Sequence, residues 1–188
     1  MFEQFFPYGY AQSVFVIDYE RLYQLGYRGL IFDVDNTLVH HGDPSNDQVE
    51  ALFRRLSARG FKTVLLSDND EPRLEAFTAN MDVPFVADAE KPSTKGYEAA
   101  LRILGLEQEK EKALVIGDQV FTDIRGANAS GLASVLVHFI KLPSERRIGK
   151  RRYIEKGLLA LWRRSKRYYG RLGSIEIQPT AAGEDVFA

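Results

Sequence analysis

Gly29-Leu-Ile-Phe-Asp33-Val-Asp35-Asn36-Thr37-Leu38 is the stretch that decides the fold. Its first half is a short apolar run without alternation, the pattern of a strand covered on both faces. Its second half breaks into a turn that carries two carboxylates, Asp33 and Asp35, two residues apart. Four further runs of the same kind follow at Phe61–Ser67, Val83–Ala87, Ala113–Asp118 and Ala133–Val137. With Gly29–Asp33 they make five predicted parallel strands.

Helical patterns fill the intervals. Val49, Leu52, Phe53 and Leu56 fall at i, i+3, i+4 and i+7, with Ser45 and Gln48 as a capping box and Gly60 as a stop. Leu74, Phe77 and Met81 give a weaker stripe. Tyr97, Ala100, Leu101 and Leu104 give another, ending at Gly105. A short helix is expected over Thr122–Ala129, and one more, Tyr19–Leu25, ahead of the first strand. Alternating strand and helix indicates a doubly wound α/β sheet of the Rossmann-like kind. In such sheets ligands bind beyond the carboxyl ends of the strands. Asp33, Ser67 and Asp118 each end a predicted strand and Lys91 follows another, so the polar residues converge on one edge.

The 188 residues suit one domain with an appendage, and 45% hydrophobic residues suffice for a sizeable core. With no cysteine, disulfides, thiolate zinc sites and cysteine nucleophiles are excluded. The aromatic N-terminus does not read as a signal peptide, and no run reaches the roughly 18 apolar residues of a membrane span. A cytoplasmic protein is therefore expected. Charge is unevenly spread: residues 1–140 hold 13 Lys/Arg against 21 Asp/Glu, residues 141–172 hold 12 against 2, and the last sixteen carry three acids. The expected organisation is an acidic core over 1–140, a basic helical segment over 141–172 and a flexible tail over 173–188.

Phosphoryl transfer needs an in-line nucleophile, a proton donor for the leaving group and positive charge for the equatorial oxygens. Asp33 can attack and become an aspartyl phosphate. Asp35 can protonate the leaving oxygen and later activate water. Asp33 and Asp118 offer hard oxygen ligands to Mg²⁺, with the Asp35 carbonyl adding another. Asp33, Asp35, Asp118 and Asp123 around one phosphate would repel each other without a cation. Lys91 adds fixed positive charge. Ser67 and the amides after it, beginning with that of Asp68, can bind the phosphate; one such donor is typically worth roughly 3–4 kcal/mol in the transition state.

These segments resemble the four ordered motifs of the haloacid dehalogenase (HAD) superfamily. Asp33-Val-Asp35-Asn36-Thr37-Leu38 resembles the first, Leu65-Leu66-Ser67-Asp68-Asn69 the second, Lys91-Pro92 the third and Gly117-Asp118-Gln119-Val120-Phe121-Thr122-Asp123 the fourth. An Asp at the position of Asp35 implies a phosphatase rather than a dehalogenase. The resemblance also implies supporting places for Thr37, Asn69 and Asp123, and Lys91 rather than Lys95 as the motif lysine. Only one strand–helix unit fits between Asp35 and Asp68, and only one between Ser67 and Lys91, so a cap domain has no room. The chain therefore resembles the capless class, whose open sites suit large substrates. Phe6-Pro7-Tyr8, Ser13-Val14, Ile17-Asp18 and Lys91-Pro92-Ser93-Thr94-Lys95-Gly96-Tyr97 are similar to the YqeG-type phosphatases. Those are similar in turn to phosphatidylglycerophosphate phosphatases, which implies a phospholipid substrate. Ser67-Asp68-Asn69 departs from the Ser-Asn-Asn commoner there.

Other residues take plainer readings. His40 and His41 read as a solvated flap, His138 as structural, Asp68 and Asp70 as caps of the next helix, and Gly117 as the tight-turn glycine. Ile154, Leu158, Leu161, Trp162 and Tyr169 form a helical stripe flanked by Arg151, Arg152, Arg163, Arg164 and Arg167. Such a helix suits an anionic membrane surface at the inner face, or docks its stripe on the core; the same cations can bind RNA. The rivals are thus a phosphatase for soluble nucleotides, sugar phosphates or phosphoproteins, and a vestigial HAD body carrying a nucleic-acid-binding arm. Intact catalytic motifs argue against the last.

Overall fold

The computed structural model describes residues 2–140 and 150–177. Residues 141–149 and 178–188 and the side chains of Lys150, Arg151 and Arg152 lie outside the described residues. That takes out part of the basic segment, two of its flanking arginines and most of the expected tail.

The elements in chain order are β1 Gly9–Ala11, α1 Tyr19–Gln24, β2 Gly29–Phe32, α2 Asp47–Arg59, β3 Lys62–Leu66, α3 Glu71–Thr78, β4 Phe85–Val86, α4 Thr94–Leu104, β5 Ala113–Gly117, α5 Arg125–Ala129, β6 Ala133–Val137 and α6 Lys150–Arg164. All strand pairs are parallel, in the order β1-β6-β5-β2-β3-β4. The doubly wound sheet is as expected, with one strand more. β1 has no apolar run of its own; it exists by pairing Gly9 with Val135 and Ala11 with Val137 along β6.

Alternation along the strands divides the core. Leu30, Phe32, Leu65, Leu114, Ile116 and Val135 pack on one face with Leu22 of α1, Val49, Leu52, Phe53 and Leu56 of α2, and Leu74 and Phe77 of α3. Ile31, Val64, Leu66 and Val115 pack on the other with Tyr97, Ala100, Leu101 and Leu104 of α4 and Ala127 of α5. At roughly 1.5–3 kcal/mol for each large apolar side chain buried, these two layers dominate the stability.

Several local expectations are corrected. α2 is capped by Asn46, not Ser45: Asn46 is extended and its Oδ1 accepts from the Val49 amide at 3.0 Å. β4 shrinks to two residues, because Asp88 and Glu90 turn the chain with φ of 44° and 51°. The helix expected over Thr122–Ala129 is split into a π-helical turn, Val120–Ile124, followed by α5. The Tyr97 hydroxyl faces the carbonyls of Thr122 and Asp123, both at 3.2 Å, which holds that wider turn.

α6 also behaves differently from a free amphipathic arm. Leu158 and Trp162 turn inward, Leu158 joining Val120, Ile124 and Leu136, while Trp162 gives its indole N–H to the Tyr168 carbonyl at 2.9 Å. Tyr153, Ile154 and Leu161 stay outward, 64%, 59% and 45% exposed. After α6 the chain returns to β1: Leu172 and Ile175 are buried, and Asp18 and Ile175 are joined by a 2.7 Å backbone bond. Residues 173–177, within the stretch expected as tail, thus form part of the core's edge. Among the described residues nothing is inserted between the first three motifs beyond α2 with β3 and α3 with β4, so no cap domain covers the carboxyl ends of the strands.

Candidate active site

β2, β3 and β5 end at Phe32, Leu66 and Gly117, which leaves Asp33, Ser67 and Asp118 one residue beyond, at the sheet edge. After Asp33 the chain folds into a compact turn. The Thr37 and Leu38 amides donate to the Val34 carbonyl at 3.3 and 2.9 Å, Asn36 adopts φ 62°, and Asp35 bridges Val39. This turn brings Thr37 back, so that its Oγ1 donates to Asp33 Oδ2 at 2.9 Å.

Lys91 Nζ lies 2.6 Å from Asp33 Oδ1 and 2.8 Å from Asp123 Oδ1. Its side chain is 5% exposed, whereas Lys95 is exposed on α4, so Lys91 is the lysine of the cluster. The loop that carries it is tied to β3: Ala89 N donates to the Ser67 carbonyl at 3.0 Å, and Lys91 N to Asp68 Oδ1 at 2.8 Å. Asp68 therefore does not cap α3, a task Asp70 performs by accepting from the Arg73 amide. Asn69 links both sides, giving its Nδ2 to Asp35 Oδ2 at 2.8 Å and to Ser67 Oγ at 3.0 Å.

Besides the Tyr97 hydroxyl on its carbonyl, Asp123 is held by Lys91, by the Gln119 amide on Oδ2 at 3.0 Å, and by its own amide on the Gln119 carbonyl at 3.0 Å. Gly117 has no left-handed φ. It is required for a different reason than the one expected, since a Cβ there would lie 2.4 Å from Asp123 Cγ.

Asp33, Asp118 and Asp123 are all buried and each can offer an oxygen within 4.8 Å of the others. Against them stands the buried ammonium of Lys91, leaving two excess negative charges when all ionise. Such an excess in a dry site is costly unless a cation compensates it. Three hard carboxylate oxygens suit Mg²⁺ by donor chemistry. Without that cation, burial pushes Asp33 up to about 6 and the Asp123 charge pushes the same way, although Lys91 and Thr37 oppose them. Burial would lower Lys91, but the facing Asp123 and Asp33 outweigh it and hold the ammonium well above its ordinary value. Asp35, half-buried, behaves in the opposite sense. Burial raises it, but hydrogen bonds from Asn69 and the Gly42 amide and the nearby His41 and Arg73 bring it below the ordinary carboxylate range.

The arrangement thus joins a caged carboxylate, a second carboxylate on a turn above it, a buried cation and a cluster able to take a divalent metal. The sequence profile of the haloacid dehalogenase-like hydrolases matches residues 41–131. The chain is 34% identical over 139 residues to the probable phosphatase YqeG of Bacillus subtilis, across 73% of this chain and 80% of that one. The chain belongs to the haloacid dehalogenase-like hydrolases. Within them it is a phosphatase. It is also 26% identical over 169 residues to the chloroplastic/mitochondrial phosphatidylglycerophosphate phosphatase 1 of Arabidopsis thaliana, covering 84% of this chain but only 48% of that protein. An uncharacterized protein from Listeria monocytogenes shares the fold, with a TM-score of 0.50 at 18% identity over 71% of this chain and 98% of its own.

The structure brings together Asp33, Asp35, Thr37, Ser67, Asn69, Lys91, Asp118 and Asp123; Asp68 acts through the Lys91 amide. Sequence reasoning missed Arg73, whose Nη2 lies 3.7 Å from Asp35 Oδ1, and Tyr97 beneath the Asp123 turn. It read His41 as solvated flap, yet the exposed ring comes 3.3 Å from Asp35 Oδ2. Arg73 lies three residues after the Asp70 cap, in the first turn of a helix that starts beside Asn69, and that position was the available signal.

Proposed function

We propose that this phosphatase hydrolyses phosphomonoesters with the help of Mg²⁺, through an aspartyl phosphate on Asp33, and that its substrate is a phospholipid phosphate of the phosphatidylglycerophosphate kind. The observation that carries the catalytic reading is the caging of Asp33 between Lys91 and Thr37, beside two further buried carboxylates.

In the first half-reaction an Asp33 oxygen attacks phosphorus and the bond to the leaving alcohol breaks. Asp35 gives its proton to that oxygen. A phosphate dianion alongside raises the proton affinity of Asp35 and so supplies the protonated form this step needs. In the second half, Asp35 takes a proton from water, the water oxygen attacks phosphorus, and inorganic phosphate leaves with Asp33 restored. Lys91 and the Ser67 hydroxyl, with the amides from Asp68 onward, bind the phosphoryl oxygens. Asp33, Asp118 and the Asp35 carbonyl would hold Mg²⁺, with Asp123 as the third carboxylate of the cluster, and the ion would supply charge neutralisation for the transferring group.

The lipid part rests on the likeness to the plant phosphatase, the uncapped site and the face α6 leaves outward. Tyr153, Ile154 and Leu161 are exposed on a helix that ends in Arg163 and Arg164 and is followed by Lys166 and Arg167. Apolar side chains among cations suit the surface of an anionic bilayer. No helix among the described residues is long and apolar enough to cross one.

Asp33→Asn is expected to lower Mg²⁺-dependent hydrolysis of p-nitrophenyl phosphate by at least about 10³-fold with the fold intact. Retained turnover refutes the nucleophile. Phosphate release from a panel of nucleotides, sugar phosphates, phosphopeptides and phosphatidylglycerophosphate in mixed micelles tests the substrate. A soluble ester turned over better than the lipid refutes that part alone. The wild-type chain should co-sediment with anionic vesicles and Ile154→Glu/Leu161→Glu should not; equal sedimentation of the two refutes the α6 face.

A further inference from the structure

Glu155 is a buried carboxylate, 6% exposed, on a helix outside all four motifs. Its Oε1 accepts from the Val120 amide at 3.3 Å. Val120 lies between Asp118 and Asp123 and opens the π-helical turn that carries Asp123.

The first amides of any helical turn lack partners within it and need an acceptor from elsewhere. Gln119, the residue before this turn, gives it no side-chain cap. The turn is served from two sides instead. Asp123 reaches back to the Gln119 amide from the site side, and Glu155 reaches the Val120 amide from the α6 side. Around that bond Leu158 packs with Val120, Ile124 and Leu136, and Phe121 meets Phe5 edge to face at 5.3 Å. Burying a carboxylate is expensive, and an aliphatic residue would pack against Val120 without that cost. The carboxylate gives the Val120 amide an acceptor that an aliphatic side chain would not.

We infer that Glu155 is a positioning residue for the metal site: as an acceptor supplied by α6, it fixes the Asp118–Asp123 loop in the geometry that binds the cation. This rests on the reading of Asp33, Asp118 and Asp123 as a Mg²⁺ site. The C-terminal helix is then a working part of the catalytic edge, which joins the face it shows to the outside with the loop that holds two of the three carboxylates.

The test is Mg²⁺ binding to the full chain by isothermal titration calorimetry, with no substrate, for wild type, Glu155→Met, Glu155→Gln and Asp118→Asn. Outer partners of metal ligands typically change metal affinity by about 10–100-fold. Glu155→Met, similar in volume but without an acceptor, is expected to weaken binding about tenfold. Glu155→Gln, which keeps an acceptor oxygen, is expected to recover most of it. Equal affinity in wild type and Glu155→Met overturns the inference, as does Glu155→Gln binding no better than Glu155→Met. Should Glu155→Met not fold, Glu155→Leu, which likewise lacks a carboxyl acceptor and leaves the Asp118–Asp123 loop unaltered in sequence, is read identically. Absence of binding in wild type, or unchanged binding in Asp118→Asn, defeats the metal reading itself.

Discussion

Gly117→Ala adds one carbon where the site has no space for it. The new Cβ would lie 2.4 Å from Asp123 Cγ and 2.6 Å from its Cβ and Oδ2, against the roughly 3.5–4.0 Å at which carbon atoms normally rest. Something must move by more than about 1 Å. Gly117 is the last residue of β5 and pairs with Leu136 of β6, in a strand that β2 holds from the other side as far as Ile116, so the strand is the stiffer party. Asp123 must yield, and with it the 2.8 Å contact to Lys91 and the 3.0 Å bond from the Gln119 amide. Overpacking of this kind costs about 1–3 kcal/mol of stability. A displacement near 1 Å at a working group costs about 10²-fold in rate.

The assay is a double-mutant cycle with Asp123→Gly, which removes the three atoms nearest to the new Cβ. Urea unfolding gives the stability of all four proteins, and p-nitrophenyl phosphate hydrolysis gives kcat/KM. Gly117→Ala is expected to destabilise wild type by about 2 kcal/mol but to be nearly neutral in the Asp123→Gly background, a coupling within the range seen for residues in contact. Activity should fall about 10²-fold in Gly117→Ala alone, and no further when it is added to Asp123→Gly. Wild-type activity in Gly117→Ala, or the same cost in both backgrounds, refutes the reasoning.

Removing the buried cation by Lys91→Met leaves Asp33 and Asp123 facing each other, and breaking a buried pair of this kind costs about 3–5 kcal/mol. Thermal unfolding should show that loss, and a larger stabilisation by Mg²⁺ in the variant than in wild type; equal stability without the ion contradicts the charge balance. Ile175→Ala empties a core position from the far end of the chain and should cost about 2–5 kcal/mol in urea unfolding, whereas a loose tail would cost nothing measurable.

Much of the site was legible because its chemistry is written in local patterns. A strand that ends in Asp33, with Asp35 and Thr37 on the turn after it, announces itself within a few residues. Ser67 and Asp118 repeat the device at the ends of their own strands, and parallel topology then brings the three edges together without further information. What the sequence concealed depends on partners far along the chain. β1 has only Gly, Tyr and Ala and becomes a strand because β6 presents an open edge. Residues 173–177 look like the start of a tail until Ile175, with Leu172 ahead of it, covers β1, where Gly9 leaves them space. The π-helical turn reads as ordinary helix because no local residue encodes it; Tyr97, from α4, holds its carbonyls. Arg73 and Glu155 carry no motif, and only the reach of their side chains to Asp35 and the Val120 amide gives them a place.

An uncapped site meets a difficulty that a capped one avoids, because no lid closes to exclude water or to assemble the groups around the substrate. Its geometry must therefore be fixed before the substrate arrives. Asp33 is held by Thr37 and Lys91, Asp123 by Lys91 and the Gln119 amide, and Asp35 by Asn69 and the Gly42 amide. Lys91 is itself locked by two carboxylates, with its backbone tied to Asp68. Gln119 gives the loop of Asp118 and Asp123 no side-chain cap, and beside the Asp123 carboxylate support reaches it from Tyr97 on one side and from Glu155 on the other. Among the described residues, rigidity built from these supporting contacts takes the place of a lid, and the carboxyl edge of the sheet stays open.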